Sequence, residues 1–145
     1  MTLHLVKLCV GIESIEHLRA ADAEELKALK AAGQTPELVH RTRQMPKRAE
    51  EILDGGSLYW VIRGAIQVRQ PILALRPVTG ADGQGYCDIV FARQLVMVRP
   101  TPRRAFQGWR YLEASDAPAD LGAFGEGGGE LPPSMRAALI ELGLI

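Results

Sequence analysis

The chain has 145 residues, of which 47% are hydrophobic, so it can bury one sizeable core, and extensive disorder is excluded. Its 17 basic and 17 acidic residues cancel to a net charge of zero. No apolar segment reaches the roughly 20 residues that a membrane helix needs, and no secretory signal peptide is evident. These observations predict a single-domain cytoplasmic protein without a membrane partner.

The first third of the chain predicts alternating strands and helices. An apolar strand is expected over 3–10, followed by a helix that Ser14 caps and Gly33 ends. A second strand is expected over 38–44, and a short helix over 46–54 follows it.

The stretch 57–78 is the longest apolar run, and its side chains alternate in character. The apolar residues fall on even positions, namely Leu58, Trp60, Ile62, Ile66, Val68 and Ile72. Because side chains alternate across a strand, this pattern predicts two adjacent strands with one core face and one arginine-bearing face. The strands are expected to meet at Arg63–Gly64 and to bend near Pro71.

The last third predicts more strands and then a single helix. A turn over 79–85, strands over 86–91 and 94–99, a Gly-rich linker over 123–131 and a C-terminal helix over 132–145 are expected. The apolar stripe of that helix is narrow, which predicts weak docking. The fold class is therefore α+β, a small curved antiparallel or mixed β-barrel over 1–122, with five to six strands and two or three flanking helices.

Basic residues are concentrated in the middle of the chain. Between His40 and Arg110 lie 12 basic and 5 acidic residues, a local charge of +7, and 11 of the 12 are arginine. Arginine suits phosphate and carboxylate because its guanidinium is planar and forked. Such a segment is either an anion-binding face or a mixed surface whose charges pair in the fold.

Residues 103–112 are the strongest functional candidate. Three arginines interleave there with three aromatic residues, in the order Arg103, Arg104, Phe106, Trp109, Arg110 and Tyr111. Arginines can hold phosphate oxygens while aromatic faces stack on bases, and Gln107 could contact a base edge. The alternative is a final strand whose Phe106 and Trp109 close one end of the barrel, with arginines solvated or paired with Glu113 and Asp116.

Catalytic and metal-binding patterns are weak. The sequence has no GxSxG elbow and no GxGxxG loop, and its three histidines lack metal-ligand spacing. Cys9 and Cys87 lie in apolar runs without a CxxC partner, so buried thiols are expected. No metal site or cofactor is therefore predicted. The patterns favour a protein that is not an enzyme but leave enzymatic activity open, and they predict no oligomeric state.

Four stretches carry a resemblance to a known family. LVKLCVG, PKRAEEILDGGSLYWVIRG, RRAFQGWRYL and DAPADL resemble an uncharacterised bacterial domain-of-unknown-function family over roughly residues 3–121, which implies no activity. The helix, Gly-Gly turn and paired strands also resemble PUA-like domains of the ASCH and EVE branches, which mostly bind RNA or modified bases beside a small barrel. The residues placed at such a cleft, including Phe106 from the interleaved segment, are Arg63, Arg69, Arg103, Arg104, Phe106, Gln107, Trp109 and Arg110.

Nucleic-acid binding, RNA first, is therefore the leading functional hypothesis. An enzyme acting on a small anionic, nucleotide-like substrate is the first alternative. A partner-binding structural protein that docks through its C-terminal helix is the second.

Overall fold

The computed structural model of the protein describes residues 2–125 and 131–145. The strands in this part of the chain are β1 Leu3–Leu8, β2 Leu38–Thr42, β3 Ser57–Ile62, β4 Ala65–Thr79, β5 Gly85–Phe91, β6 Val96–Pro102, β7 Trp109–Glu113 and β8 Asp120–Ala123. The helices are α1 Ile15–Ala31, α2 Ala49–Leu53 and α3 Pro133–Glu141, and a 3₁₀ turn covers Ala114–Asp116. None of the described helices is long and apolar enough to cross a membrane.

The ends of α1 follow from local chemistry, as the sequence predicts. The side-chain oxygen of Ser14 accepts a hydrogen bond from the backbone N–H of His17 at 3.0 Å, which satisfies a donor that the first turn leaves open. Gly33 follows the helix with a φ of 73°, a conformation that glycine adopts without steric cost.

The strands form one mixed sheet around the long strand β4. Its main path runs β2-β5-β4-β3-β1-β7, while β6 pairs with β4 and β8 pairs with β6. The pair β1–β3 is parallel and the other pairs are antiparallel. The parallel pair is possible because α1, β2 and α2 lie between these strands in the chain and supply the long crossover that parallel strands need.

The sheet has eight strands and does not close, so the prediction of a five- to six-strand barrel is wrong. Among the described residues, β2 and β7 do not pair with each other. Side chains join these edges instead. The indole Nε1 of Trp109 in β7 donates to the carbonyl oxygen of Gln44, just after β2, at 2.8 Å. The backbone N–H of Arg48 donates to the hydroxyl of Tyr111 at 3.2 Å. The α+β class is confirmed.

Apolar residues are buried on both faces of the sheet. The inner core includes Trp60, Ile62 and Val68, as the even-position pattern predicts, together with residues of all three described helices. Ile66, another residue of the even-position series, is also buried, but it lies in a second, outer core. The pairing register shifts between Ile66 and Val68, which turns Ile66 to the other face. Tyr59, on the face expected to be polar, is only 3% exposed. Central strands of a partly parallel sheet are often covered on both sides.

The C-terminal helix packs into the inner core. Met135 and Leu139 of α3 are 0% and 3% exposed. The predicted linker over 123–131 begins at the last residue of β8, and its residues 126–130 lie outside the described part of the chain. The predicted division at residue 122 stays a prediction, but Met135 gives α3 a firmer attachment than its narrow stripe indicates.

Candidate functional site

Two of the predicted arginines lie together around one aromatic ring. The guanidinium carbons of Arg103 and Arg110 each lie 5.2 Å from the centroid of the Phe106 ring, a distance typical of cation–π contacts. Phe106 is half-buried against the outer core. With the exposed side chains of Arg104 and Gln107, these residues form what is called here the Phe106 surface.

The backbone fixes this surface at one end of the sheet. The N–H of Arg103 donates to the carbonyl oxygen of Gly64 at 2.9 Å, which ties the end of β6 to the β3–β4 turn. Gly108 has a φ of 67° and turns the chain into β7. The carbonyl oxygen of Gln107 then accepts a hydrogen bond from Nη1 of Arg110 at 2.6 Å. The two cationic side chains are therefore held on short, anchored segments.

Trp109 does not belong to the Phe106 surface. It is 9% exposed, lies in the inner core, and makes an edge-to-face contact with Tyr111 at 4.8 Å between ring centroids. Because neighbouring residues of a strand point to opposite faces, Trp109 points inward while Arg110 points outward. The sequence left open whether Trp109 packs in the core or contacts a ligand, and the structure shows that it packs. Phe106 is therefore the accessible aromatic residue beside the arginines.

Arg69 lies apart from that surface, and Arg63 lines a different cavity although it neighbours Gly64, the residue to which Arg103 bonds. Arg69 makes a two-point ion pair with Asp120, at 2.8 and 2.7 Å, and its Nη1 donates to the hydroxyl of Ser57 at 2.8 Å. Arg63 sits in the β3–β4 turn and lines a cavity of about 650 Å³ that Gln67 and residues of α1 and α3 also line. The structure therefore separates the predicted site residues into four places: the Phe106 surface, the inner core with Trp109, the ion pair of Arg69, and the cavity that Arg63 lines.

Charge pairing divides the arginines of the basic segment into two groups. Four arginines of that segment form ion pairs with carboxylates, namely Arg41 with Asp88, Arg48 with Glu51 and Glu113, Arg69 with Asp120, and Arg76 with Glu37. Within residues 2–125 and 131–145, the other arginines of the segment have no carboxylate partner, namely Arg43, Arg63, Arg93, Arg99, Arg103, Arg104 and Arg110. The last three belong to the Phe106 surface. In particular, Glu113 is held by Arg48, at 3.1 Å.

A buried polar chain joins α1 to the sheet, and the sequence analysis missed it. The indole Nε1 of Trp60 donates to Oε1 of Gln70 at 2.8 Å, and Nε2 of Gln70 donates to Oδ2 of Asp22 at 3.0 Å. Burial raises the pKa of Asp22 to about 6, against the weaker lowering by its hydrogen bond with Gln70. Gln70 lies at an even position of the alternating stretch 57–78, among apolar residues. This polar residue in an apolar series is the feature of the sequence that could have indicated the buried polar chain.

The structure gives no sign of metal or thiol chemistry. Among the described residues, no group of three His, Cys, Asp or Glu side chains could hold a metal ion. Cys9 and Cys87 are not disulfide-bonded, and burial raises their thiol pKa values to about 12 and about 11. Both therefore remain protonated and poorly nucleophilic at neutral pH.

The sequence model of a family described as "Protein of unknown function (DUF1489)" matches residues 5–145. The chain belongs to this family. The match spans every described element except the first two residues of β1. No curated protein and no solved structure matches the chain, and the PUA-like resemblance is not confirmed.

Proposed function

We propose that this DUF1489 protein binds single-stranded nucleic acid, RNA in the first instance, through the Phe106 surface. The observation that carries the proposal is a set of arginines without a carboxylate partner around one aromatic ring. Arg103, Arg104 and Arg110 lack such a partner in the described residues, whereas Arg41, Arg48, Arg69 and Arg76 are neutralised. Arg103 and Arg110 both lie against Phe106. Cations without internal partners are available to phosphate oxygens, which guanidinium groups bind in a forked geometry.

The arrangement of the aromatic ring supports a single strand over a duplex. Phe106 is partly exposed, and the guanidinium carbons of Arg103 and Arg110 each lie 5.2 Å from the centroid of its ring. Successive phosphates and bases of an unpaired strand could contact cation and ring in turn, since stacking on an aromatic face contributes about 1–3 kcal/mol per base. A paired base has its faces covered by its neighbours and gains nothing from such a ring.

Binding through this surface should depend on these arginines and not on charge in general. The double variant Arg103→Ala/Arg104→Ala should bind a single-stranded RNA oligomer at least tenfold more weakly in a fluorescence-anisotropy titration, because it loses two phosphate contacts. The matched control is Arg41→Ala/Arg76→Ala, which removes the same charge from two exposed arginines that are paired with Asp88 and Glu37. The control should bind within about twofold of the wild type, since only a screened long-range field is changed.

A second variant separates stacking from charge. Phe106→Leu keeps an apolar side chain over the outer core but removes the aromatic face. Its affinity should fall by the roughly 1–3 kcal/mol of one stacked base. The slope of affinity against salt should stay unchanged, because stacking releases few counterions. If both arginine pairs weaken binding equally and Phe106→Leu has no effect, the Phe106 surface is not the binding site.

A further inference from the structure

A second polar cluster lies on the outer side of the sheet, near the start of β3 instead of its end. His4 of β1, Tyr59 of β3, Arg69 of β4 and Asp120 of β8 line a cavity of about 290 Å³. The rest of its wall is formed by Gly55, Ala114, Ala117 and Pro118. The cluster shares no residue with the Phe106 surface, and the sequence analysis placed only Arg69 at a site.

Three hydrogen bonds fix the side chain of Arg69, and two of its N–H groups remain unused. Its Nε and Nη2 donate to the two oxygens of Asp120, and its Nη1 donates to the hydroxyl of the fully buried Ser57. A guanidinium has five N–H bonds, so two remain, one on each terminal nitrogen. Both oxygens of Asp120 already accept hydrogen bonds from Arg69. The charge of this carboxylate is therefore largely neutralised, and it repels a bound anion only weakly.

The position of the proton on His4 is fixed by its backbone partner. The N–H of Ser57 donates to Nδ1 of His4 at 3.0 Å, so the neutral ring carries its proton on Nε2. Burial and the nearby charge of Arg69 lower the pKa of His4, and Asp120 opposes them weakly. At neutral pH, His4 is therefore an uncharged donor at the cavity.

Tyr59 supplies a hydroxyl without a partner. The residue is 3% exposed, and its ring meets the ring of His4 edge to face at 5.0 Å. Its hydroxyl makes no hydrogen bond to any described residue, yet in the same part of the chain no fully enclosed side-chain polar atom lacks a partner. The hydroxyl must therefore reach open space, and the space beside it is the cavity that Tyr59 lines. A tyrosine nine-tenths buried normally pairs its hydroxyl.

We infer that this cavity binds the oxygen atoms of a small carboxylate or phosphate group, through the hydroxyl of Tyr59, Nε2–H of His4 and the spare N–H groups of Arg69. Three kinds of donor converge there, and Asp120, the carboxylate among the lining residues, already accepts from Arg69. Since Arg69 and Asp120 neutralise each other, the site carries little net positive charge and suits a single oxyanion group better than a polyanion.

The test follows the His4 ring by NMR while the wild-type protein is titrated with sodium phosphate, sodium acetate or sodium chloride at matched ionic strength. A saturable shift with phosphate or acetate but not with chloride is expected, and the tighter of the two identifies the kind of oxyanion. The bound anion should also raise the pKa of His4, which Tyr59, Arg69 and Asp120 face from the neighbouring strands. Tyr59→Phe, which keeps the ring, should weaken binding about 2- to 10-fold, as expected for one lost hydrogen bond.

Two control variants make the result specific. Tyr86→Phe removes a hydroxyl that donates to Asp82 in the β4–β5 hairpin and should leave the titration unchanged. Arg103→Ala/Arg104→Ala should also leave it unchanged, so failure of nucleic-acid binding would not affect this inference. It is overturned if neither oxyanion shifts His4 more than chloride does, or if Tyr59→Phe binds as tightly as the wild type.

Discussion

Asp22 is a carboxylate of α1 that is only 8% exposed and accepts a hydrogen bond from Gln70. Burial raises its pKa from 3.8 to about 6, so the folded protein holds the proton more tightly than the unfolded chain. Its stabilising contribution is therefore fully present below about pH 4 and is lost as pH rises through about 6. An ionised Asp22 costs stability at neutral pH.

Asp22→Asn should remove this cost and keep the hydrogen bond, because the amide oxygen of asparagine can accept from Gln70. At pH 8 the variant should be more stable than the wild type by about 1–2 kcal/mol, the value of a two-unit shift reduced for solvent screening. The gain should vanish near pH 4. Urea unfolding of both proteins from pH 4 to 8 measures this difference, and a gain that does not vary with pH would contradict the assignment.

The effect of His40 on stability has the opposite pH dependence and must be distinguished from the effect of Asp22. Burial, with the nearby charge of Lys7, lowers the pKa of His40 from 6.5 to about 4. Its contribution to stability is present above about pH 6.5 and is lost as pH falls through about 4. The comparison of Asp22→Asn with the wild type cancels this term, since His40 is present in both proteins.

Residue-scale features were only partly predictable. The inward direction of Trp60 follows from alternation, and the cap at Ser14 follows from its hydroxyl before an apolar helix. The partners of Gln70, Tyr59 and His4 come from strands and helices far along the chain, so no local pattern contains them. Sequence shows that a polar residue occupies a core position, but not which buried group it meets.

At the scale of elements, the junction between α2 and β3 depends on the absence of a side chain at Gly56. A Cβ there would overlap the carbonyl oxygens of Ile52 and Leu3. The backbone is also fixed at this point, since the N–H of Gly56 donates to Ile52 at 2.7 Å and its carbonyl accepts from Ile72 at 3.0 Å. The close approach of α2 to β1 therefore requires glycine.

Gly56→Ala should destabilise the fold by about 3 kcal/mol, the upper end of the usual cost of overpacking, because two backbone segments must move. Gly85→Ala is the matched control, since its Cβ would meet nothing within 4 Å and its φ is ordinary. The control should change the free energy of unfolding by less than about 0.5 kcal/mol. Thermal or urea unfolding compares the two, and equal effects would show that α2 is not packed this closely.

The attachment of α3 can be tested within the helix itself. Met135 is fully buried in the inner core, so Met135→Ala should cost about 2–5 kcal/mol. Ile140, one turn further on, is 55% exposed, and Ile140→Ala should cost less than about 1 kcal/mol. Urea unfolding gives both values. A Met135→Ala cost as small as that of Ile140→Ala would support the weak docking that the narrow apolar stripe predicts.

Elements with strong periodicity were predictable, and short edge elements were not. The prediction of strands near 86–91 and 94–99 agrees with β5 and β6 within a few residues. β8 has only four residues, Asp120 to Ala123, with a glycine among them, which is too short a stretch for alternation to indicate a strand. Its backbone pairing with β6, and the partnership of Asp120 with Arg69, define it instead.

At the scale of the whole molecule, the sequence predicted the class of fold correctly, but its prediction that the sheet closes into a barrel was wrong. Alternation shows which residues lie inside, but the order of strands depends on long-range pairing, above all on the parallel contact of β1 with β3. The clustering of charge behaved similarly. Composition gave a +7 segment, while the structure shows that Arg41, Arg69 and Arg76 within it are paired with carboxylates.

The central claim is that the unpaired arginines of the Phe106 surface hold phosphates, and the salt dependence of RNA binding by the wild-type protein tests it most directly. Three phosphate contacts predict that the logarithm of the association constant falls linearly with the logarithm of salt concentration, with a slope of about −2 for a single strand. Arg103→Ala/Arg104→Ala should bring the slope to about −0.7, and Arg41→Ala/Arg76→Ala should leave it near −2. No salt-dependent binding of the wild type to any single-stranded RNA or DNA would contradict the claim.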